Sequence, residues 1–513
     1  MPNEHVLVVD YGSQYTQLIA RRIREQSVYC EVAPPWVETE RVVAARPRAL
    51  VLSGGPDSVS APGAPALNEE LLDLEIPVLG ICYGHQLLVR HFGGQVSPTH
   101  TREYGRAQLE VIEPDDPIFA SVSPRSVVWM SHGDRVERIP DQFRVLATSG
   151  NSPYAAIRHV ARPLYGLQFH PEVSHTEAGE RILRNFLYGV VGLDGTWSLE
   201  AFVETQLQKL RETIGDAGVV CGVSGGVDST VVAVLLHRAL GERVHCLFID
   251  NGLLREGEVA EVSRNFEREL EIPLEVIDAA SVFLDRLRSI EDPEKKRVVI
   301  GHTFIEIFER AARPLSKARF LAQGTLYPDV IESVSVWGPS QTIKTHHNVG
   351  GLPERMSLEL VEPLRDLFKD EVREVGRNLG IPDALLRRHP FPGPGLAIRI
   401  LGEVTPDRLE VLRQADRIVL DEIERADLYE GLWQAFAVFL PVRSVGVMGD
   451  ARTYEHTIAV RCVTSRDAMT ADWAVLPPEV LGRISNRIIN EVSGINRVVY
   501  DVSTKPPATI EWE

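Results

Sequence analysis

Only five cysteines, Cys30, Cys82, Cys221, Cys246 and Cys462, are spread through 513 residues, odd in number and without a C-x-x-C pair. This indicates neither a disulfide framework nor a thiolate zinc centre. No stretch of eighteen or more uninterrupted apolar residues is present, so no membrane-spanning helix is expected. The start, MPNEHVLVVDYGSQ, lacks the basic residues, apolar segment and small-residue cleavage site of a secretory signal, and a cytoplasmic protein is expected. Positive charge is also scarce. With 54 Lys and Arg against 72 Asp and Glu, the formal net charge of −18 opposes binding to nucleic-acid phosphates and favours small-molecule substrates.

What the sequence does contain is two separate reactive loops, GICYGHQ at 80–86 and GVSGGVDST at 222–230. Each follows an apolar run that reads as a buried parallel strand, and each opens into a helical pattern. Short apolar strands are expected at 5–10, 49–53, 76–81 and 164–169, with a helix over Gln17 to Glu25, the grammar of an α/β layer fold. After a break at 189–198, an amphipathic helix is expected from Leu199 to Glu212. A second α/β pattern follows with strands at 219–223, 245–250 and 320–324. Its end is expected near HPFPGPG at 389–395, where three alternate prolines forbid a regular helix. Beyond it, a helix over about Asp407 to Asp427 and strand-like VRSVGVMG, TIAVRCV and RVVYDVS suggest a small α+β domain. The expected domains are 1–191, 192–393 and 394–513. At this length two to four domains are usual.

Gly80-Ile-Cys82-Tyr-Gly84 has the logic of a nucleophile elbow, in which flanking glycines permit a sharp strand-to-helix turn exposing the central residue. At a helix N-terminus the positive dipole end favours a thiolate, and free N–H groups can donate to an oxyanion. A lone cysteine in a tight turn is more often simply buried. His170 and Glu172, in GLQFHPEVSHT, change the balance: an imidazole base oriented by a carboxylate generalises the catalytic triad. LSGGP at 52–56 adds a glycine turn able to offer backbone donors. Over about residues 5–190 these features resemble the class I glutamine amidotransferase family, which hydrolyses glutamine to glutamate and ammonia. The resemblance implies Cys82 as nucleophile, His170 as general base and Glu172 as its orienting acid. It also implies Gly55 and the Tyr83 amide at the oxyanion hole, and Gln86 with Ser131, His132 and Gly133 of SHGD at the glutamine pocket. His85 departs from the more usual methionine of that family.

In the second loop, Ser224, Gly225, Gly226, Val227, Asp228, Ser229 and Thr230 lie between an apolar strand and an apolar helix. The glycines let backbone N–H groups point into a nest suited to pyrophosphate. No Gly-Lys-Ser/Thr follows, so this is not a Walker A loop, and G-x-G-x-x-G is absent. A serine-glycine turn is often only structural, but a carboxylate at Asp228 beside a phosphate cradle makes sense mainly with a bridging Mg²⁺. SGGVDS resembles the PP-loop of ATP pyrophosphatases, whose fold is adenine-nucleotide α-hydrolase-like and which adenylylate a substrate with ATP and release pyrophosphate.

Longer strings, LFIDNGLLR at 247–255, DPEKKRVVIG at 292–301, QGTLYPDVIES at 323–333, IKTHHNVGGLPE at 343–354, EPLRDLFKDEVREVG at 362–376, HPFPGPGLAIR and the terminal KPPATIEWE, together resemble the glutamine-hydrolysing GMP synthase family along essentially the whole chain. That resemblance implies xanthosine monophosphate (XMP) as acceptor. It implies Asp329, Glu332 and Lys344 in a segment closing over ATP, and Arg297, Gln434, Lys505 and Glu511 at the acceptor. VGVMGDARTYEHT at 445–457 resembles the dimerisation region of bacterial relatives, so a homodimer is expected. The His346-His347 pair lacks further ligands at metal spacing and does not indicate zinc, and the charge run 362–376 reads as a solvated helix face. A glutamine-dependent NAD synthetase or an RNA-thiolating enzyme would share SGGVDS; the elbow at Cys82 disfavours the first and the acidic balance the second. A nucleotide-sensing module without catalysis has no need of both loops.

Overall fold

The computed structural model describes residues 5–13, 15–315, 317–327, 329, 358–448, 451–465 and 470–513. Glu332, Lys344, His346 and His347 lie outside them. The described residues form two compact units, one ending at Phe202 and the other beginning at Val203.

In the first unit, strands β1 (His5–Val9), β2 (Tyr29–Ala33), β3 (Ala49–Leu52), β4 (Val78–Ile81), β5 (Gln95–Val111), β6 (Arg125–Arg138), β7 (Phe143–Ser149), β8 (Ala156–His159) and β9 (Leu164–Leu167) form one sheet among the described residues, ordered β2-β1-β3-β4-β9-β8-β7-β5-β6. The half from β2 to β9 is parallel. Its strands β1, β3, β4 and β9 are buried at every position, as helix-covered parallel strands require. Leu50, Leu52, Val78, Tyr83, Leu88 and Leu164 belong to one apolar cluster beneath this half. The β4–β9 pairing places the thiol turn beside the His170 segment, because Ile81 is in register with Leu167 and the Cys82 N–H donates to the Leu167 carbonyl at 2.7 Å.

The other half is antiparallel, and its two long strands β5 and β6 form a paired ribbon that the sequence reading does not contain. The reason lies in β6. Its side chains alternate strictly between buried and less buried positions, but His132 and Asp134 occupy buried positions, so the inward face is partly polar and the apolar period of two is hidden.

The second unit contains two sheets. Strands β10 (Gly218–Val223), β11 (Val244–Asp250), β12 (Leu274–Asp278), β13 (Ala318–Ala322) and β14 (Glu359–Val361) are all parallel and ordered β12-β11-β10-β13-β14. The strand order reverses between β10 and β13, and in such sheets the crevice at the carboxyl ends of the reversal point is where ligands bind. Ser224–Gly226 leave β10 there, and Gly324 leaves β13. Strands β15 (Gln434–Met448), β16 (Ala451–Thr464), β17 (Asp472–Trp473) and β18 (Ile495–Tyr500) form the second sheet, covered by helices Pro406–Arg425 and Pro478–Glu491. One apolar cluster runs through both, from Val220, Leu247 and Leu321 to Leu396, Leu412, Phe439, Ile458 and Ile488.

HPFPGPG lies inside this unit. Gly395 has φ +62°, and a Cβ there would stand 2.4 Å from the Leu253 carbonyl oxygen, so the turn is pressed against the segment after β11. Within the C-terminal sheet, Arg461 is fully buried on β16. Its guanidinium donates to the carbonyls of Ser503, Thr509 and Ile510 and pairs with Asp501 at 3.2 Å. A buried charge is tolerable only when so satisfied, and its partners hold the loop carrying Lys505.

Candidate active sites

Cys82 sits at the junction of β4 and helix Tyr83–His91 with φ +52° and ψ −99°. A non-glycine residue at positive φ stores roughly 1–3 kcal/mol of strain and persists only where its surroundings impose it. Two glycines impose it here. A Cβ on Gly80 would lie 2.6 Å from the Gly84 carbonyl, and one on Gly84 would lie 2.4 Å from the Leu52 carbonyl. Both clashes are with backbone, so Gly84→Ala is expected to cost about 1–3 kcal/mol in denaturant unfolding and to displace the thiol; an unchanged unfolding midpoint would show that the turn does not need that glycine.

The imidazole of His170 bonds through Nδ1 to Glu172 Oε1 at 2.7 Å, both side chains almost wholly buried. Burial works against a charged ring, but the Glu172 carboxylate and the hydrogen-bonded Cys82 sulfur outweigh it and hold the His170 pKa well above its ordinary value. The segment is pinned from three sides. The Thr176 hydroxyl donates to the His170 carbonyl at 2.6 Å and accepts from the Trp129 N–H at 3.0 Å, and Arg22 donates to the Glu172 carbonyl at 3.0 Å. Thus Cys82, His170 and Glu172 form one connected group, able to pass the thiol proton to an oriented base.

Gly55 and Tyr83 are neighbours: a Cβ on Gly55 would stand 3.1 Å from the Tyr83 ring, while one on Gly54 would stand 3.2 Å from His170 Cε1. The glycine turn after β3 therefore borders both the helix N-terminus and the imidazole. The Ser131 carbonyl faces the Cys82 sulfur at 3.7 Å. Gln86 donates to the Asp134 carbonyl at 3.1 Å, and His132 bonds through Nδ1 to that same carbonyl. Gly133 faces the Tyr104 hydroxyl, 3.8 Å from where a Cβ would be. His85 is fully buried beneath the elbow, its Nδ1 crowding the face of Gly166, and burial beside His132 pushes its pKa down to about 3. It is a neutral packing residue. Two side chains the sequence reading omits also belong to this region: Gln168, whose amide nitrogen lies 3.8 Å from the Cys82 sulfur, and Glu103, which pairs with His132 at 3.3 Å. Alternation along β9 past Gly166 could have marked Gln168; nothing local marks Glu103, which meets His132 only across the β5–β6 ladder.

In the second unit, the loop after β10 closes on its own hydroxyls. Ser229 Oγ accepts from the Ser224 N–H at 3.1 Å and lies 3.0 Å from Ser224 Oγ, which accepts from the Gly226 N–H; Thr230 Oγ1 donates to the Gly226 carbonyl at 2.8 Å. Gly225 is left-handed, φ +75°, and a Cβ there would collide with Val262 at 2.7 Å. Val227 and Asp228 begin helix Val227–Leu240, so its dipole and free N–H groups face the loop. Gly324 packs beside the Asp228 backbone, 3.5 Å from its carbonyl carbon to a would-be Cβ. Asp228 Oδ1 is buried without a hydrogen-bond partner, and Oδ2 lies 3.5 Å from Lys369 Nζ. Lys369 opens helix Lys369–Asn378, whose buried face is Val372, Val375 and Gly376. The run 362–376 is therefore helical only from Lys369 on; 362–368 is a turn that buries Leu364, Leu367 and Phe368, so the expected solvated helix face holds for the second half alone, and there Lys369 faces Asp228.

The class-I glutamine amidotransferase model matches residues 7–190, an NAD synthase model matches 198–299, and a GMP synthase C-terminal domain model matches 421–512. Curated proteins similar to the whole chain include the glutamine-hydrolysing GMP synthases of Solidesulfovibrio magneticus, 58% identical over 99% of both chains, and Maridesulfovibrio salexigens, 56% identical over 99% of both. That of Aquifex aeolicus is 55% identical over the full length of both. The chain belongs to the glutamine-hydrolysing GMP synthase family. The NAD synthase match spans only the nucleotide-loop region, where a PP-loop is common ground between the two families.

In this GMP synthase family member the C-terminal residues fold back into the second unit. Glu511 is gripped by fully buried Arg399 through two bonds of 3.0 and 2.8 Å and accepts from Gln434 at 2.7 Å. Arg297 donates to the Glu513 main-chain oxygen at 2.6 Å, and its neighbour Lys296 pairs with the Glu513 carboxylate. Arg297, Gln434 and Glu511 are thus gathered around the last three residues. Lys505 lies in a separate bridge, exchanging backbone bonds with Ala471. Asp329 Oδ2 accepts from the Leu326 N–H at 2.9 Å. No helix among the described residues is long and apolar enough to cross a membrane.

Proposed function

We propose that the chain makes GMP from XMP, ATP and glutamine in two linked reactions. What carries this reading is the joining, in one chain of this family, of a buried Cys82–His170–Glu172 group with a hydroxyl-lined phosphate loop. At the first site His170 takes the Cys82 proton, the sulfur attacks the glutamine amide carbon, and the tetrahedral oxyanion is received by the Gly55 and Tyr83 amides. His170, its charge balanced by Glu172, then gives its proton to the amide nitrogen of the tetrahedral intermediate, so that the C–N bond breaks and neutral ammonia departs, and water releases glutamate from the thioester. Gln86, Ser131, His132 and Gly133 border the glutamine pocket.

At the second site, Ser224 through Thr230 cradle the β- and γ-phosphates of ATP. The XMP 2-oxygen attacks the α-phosphorus and pyrophosphate leaves; ammonia then adds at C2 and AMP departs with that oxygen. Arg297 and Lys505 suit a 5′-phosphate, and Gln434 and Glu511 suit hydrogen bonds to sugar or base. Asp329, with Glu332 and Lys344, is assigned to the segment closing over ATP. The buried, unpartnered Asp228 Oδ1 fits one ligand position of a Mg²⁺ ion otherwise held by phosphates and water, and among the described residues there is no cluster of three side chains that would hold a metal alone. When bound, Mg²⁺ supplies charge neutralisation of the phosphates.

We assign these tasks to segments 1–191, 192–393 and 394–513, in a cytoplasmic homodimer. Exposed Val442, Val445, Val447 and Tyr454 at the end of the β15–β16 hairpin suit the dimer contact. Ammonia in neutral water is mostly ammonium, which has no lone pair, so the two reactions need a path closed to solvent.

The test is incubation with Mg²⁺-ATP, XMP and amide-¹⁵N glutamine followed by mass spectrometry: labelled GMP with AMP and glutamate is expected. AMP or glutamate without GMP would overturn the acceptor assignment. The pH profile supplies a second test. The carboxylate of Glu172 raises the His170 pKa, and the imidazolium is the form that protonates the leaving amide nitrogen. Glu172→Gln is therefore expected to move the alkaline limb of the glutaminase profile to lower pH while lowering its maximum; an unmoved limb would show that Glu172 does not set the imidazole's charge.

A further inference from the structure

Arg388, just ahead of the Pro/Gly-rich segment, is directed at the phosphate loop. Its Nη1 donates to the Gly225 carbonyl at 2.8 Å and its Nη2 to Glu258 Oε1 at 2.9 Å, with Glu261 Oε2 at 4.0 Å. Glu258 is itself buried and held, its other oxygen accepting from the Arg255 N–H at 3.1 Å. Arg255 in turn pairs with buried Asp416 at 2.8 Å, and Arg255 and Arg399 both lie over the Phe391 ring. The guanidinium that touches the loop is therefore anchored from behind by buried partners.

The consequence for the loop is set by peptide geometry. In a trans peptide the carbonyl and the following N–H point in opposite directions. A Gly225 carbonyl turned outward to Arg388 obliges the Gly226 N–H to point inward, where it meets Ser224 Oγ at 3.3 Å. Gly225, without a Cβ and at positive φ, is the position at which this peptide could most easily flip. A flip would present a carbonyl oxygen to a phosphate.

We propose that Arg388 is a positioning residue for the ATP site: it locks the Gly225–Gly226 peptide so that an N–H, and not a carbonyl, faces the pyrophosphate moiety. This rests on reading Ser224–Thr230 as the ATP cradle. A charge-assisted bond of this kind corresponds to about a tenfold change in affinity.

Ammonia-driven GMP formation is measured against ATP and XMP for the wild type, Arg388→Gln and Arg388→Lys, with glutaminase activity and thermal unfolding alongside. Expected is an ATP KM raised about tenfold in R388Q, an XMP KM within about twofold of wild type, unchanged glutaminase, and R388K between the two, because lysine keeps the charge but cannot span both partners. An ATP KM in R388Q equal to wild type overturns the proposal. If R388Q does not fold, R388K decides, and its equality with wild type overturns it likewise. If the wild type makes no GMP, the acceptor assignment fails separately; calorimetric titration with Mg²⁺-pyrophosphate then reads Arg388 directly, with about tenfold weaker binding expected in R388Q and equal binding overturning the role.

Discussion

Cys82→Ala is expected to abolish glutaminase activity and glutamine-dependent GMP synthesis, by at least roughly a thousandfold, while synthesis from added ammonium salts stays within about twofold of wild type. The asymmetry follows from where the thiol is. Its sulfur is bonded within the first unit, to His170, the Ser131 carbonyl and the Gln168 amide. None of these groups belongs to the phosphate loop. Alanine also leaves the elbow in place, since the glycines at 80 and 84 hold the turn and residue 82 keeps its strained backbone. Residual glutaminase in this variant, measured as glutamate release, would sink the assignment of Cys82 as nucleophile.

Asp228→Ala should behave in the opposite way, with synthesis falling by at least roughly a hundredfold from either nitrogen source. The fold should tolerate the change. Asp228 Oδ1 has no protein partner to lose, and Lys369, opposite Oδ2 at 3.5 Å, is about a third exposed and can return its ammonium to water. A thermal transition close to that of wild type, together with lost ammonia-driven synthesis, would separate a phosphate and metal role from a structural one. Ammonia-driven synthesis surviving in the variant would remove Asp228 from the ATP site.

Much of both sites is legible in the chain because their demands are local. A sharp strand-to-helix turn needs small residues within two positions of its centre, so Gly80 and Gly84 announce Cys82, and Gly225 and Gly226 announce the phosphate loop. His170 and Glu172 are two residues apart and find each other within one bend. The strands at 5–9, 49–52, 78–81 and 164–167 are read correctly because parallel strands buried on both faces are continuous apolar runs. The ribbon β5–β6 is missed because its inward residues include His132 and Asp134. Lys369 is missed because one lysine at the start of an amphipathic charged helix looks like every other solvated residue of that face. Arg388, Arg399 and Glu103 carry no signal at all, since each acquires its partner across long sequence separations: Arg388 reaches Gly225 163 residues away, and Arg399 reaches Glu511 112 residues away.

The sequence by itself determined which backbone turns are possible and which thiol, imidazole and backbone amides they present, because those depend on steric allowances within a few residues. Only the tertiary structure decided what those groups face. The pairing of β4 with β9 sets Cys82 against His170; the reversal of strand order between β10 and β13 opens the crevice at Asp228; the half-buried Arg388, anchored on buried Glu258, holds the Gly225 carbonyl; and the fully buried Arg399, costly unless satisfied, draws the C-terminal Glu511 into a fixed position.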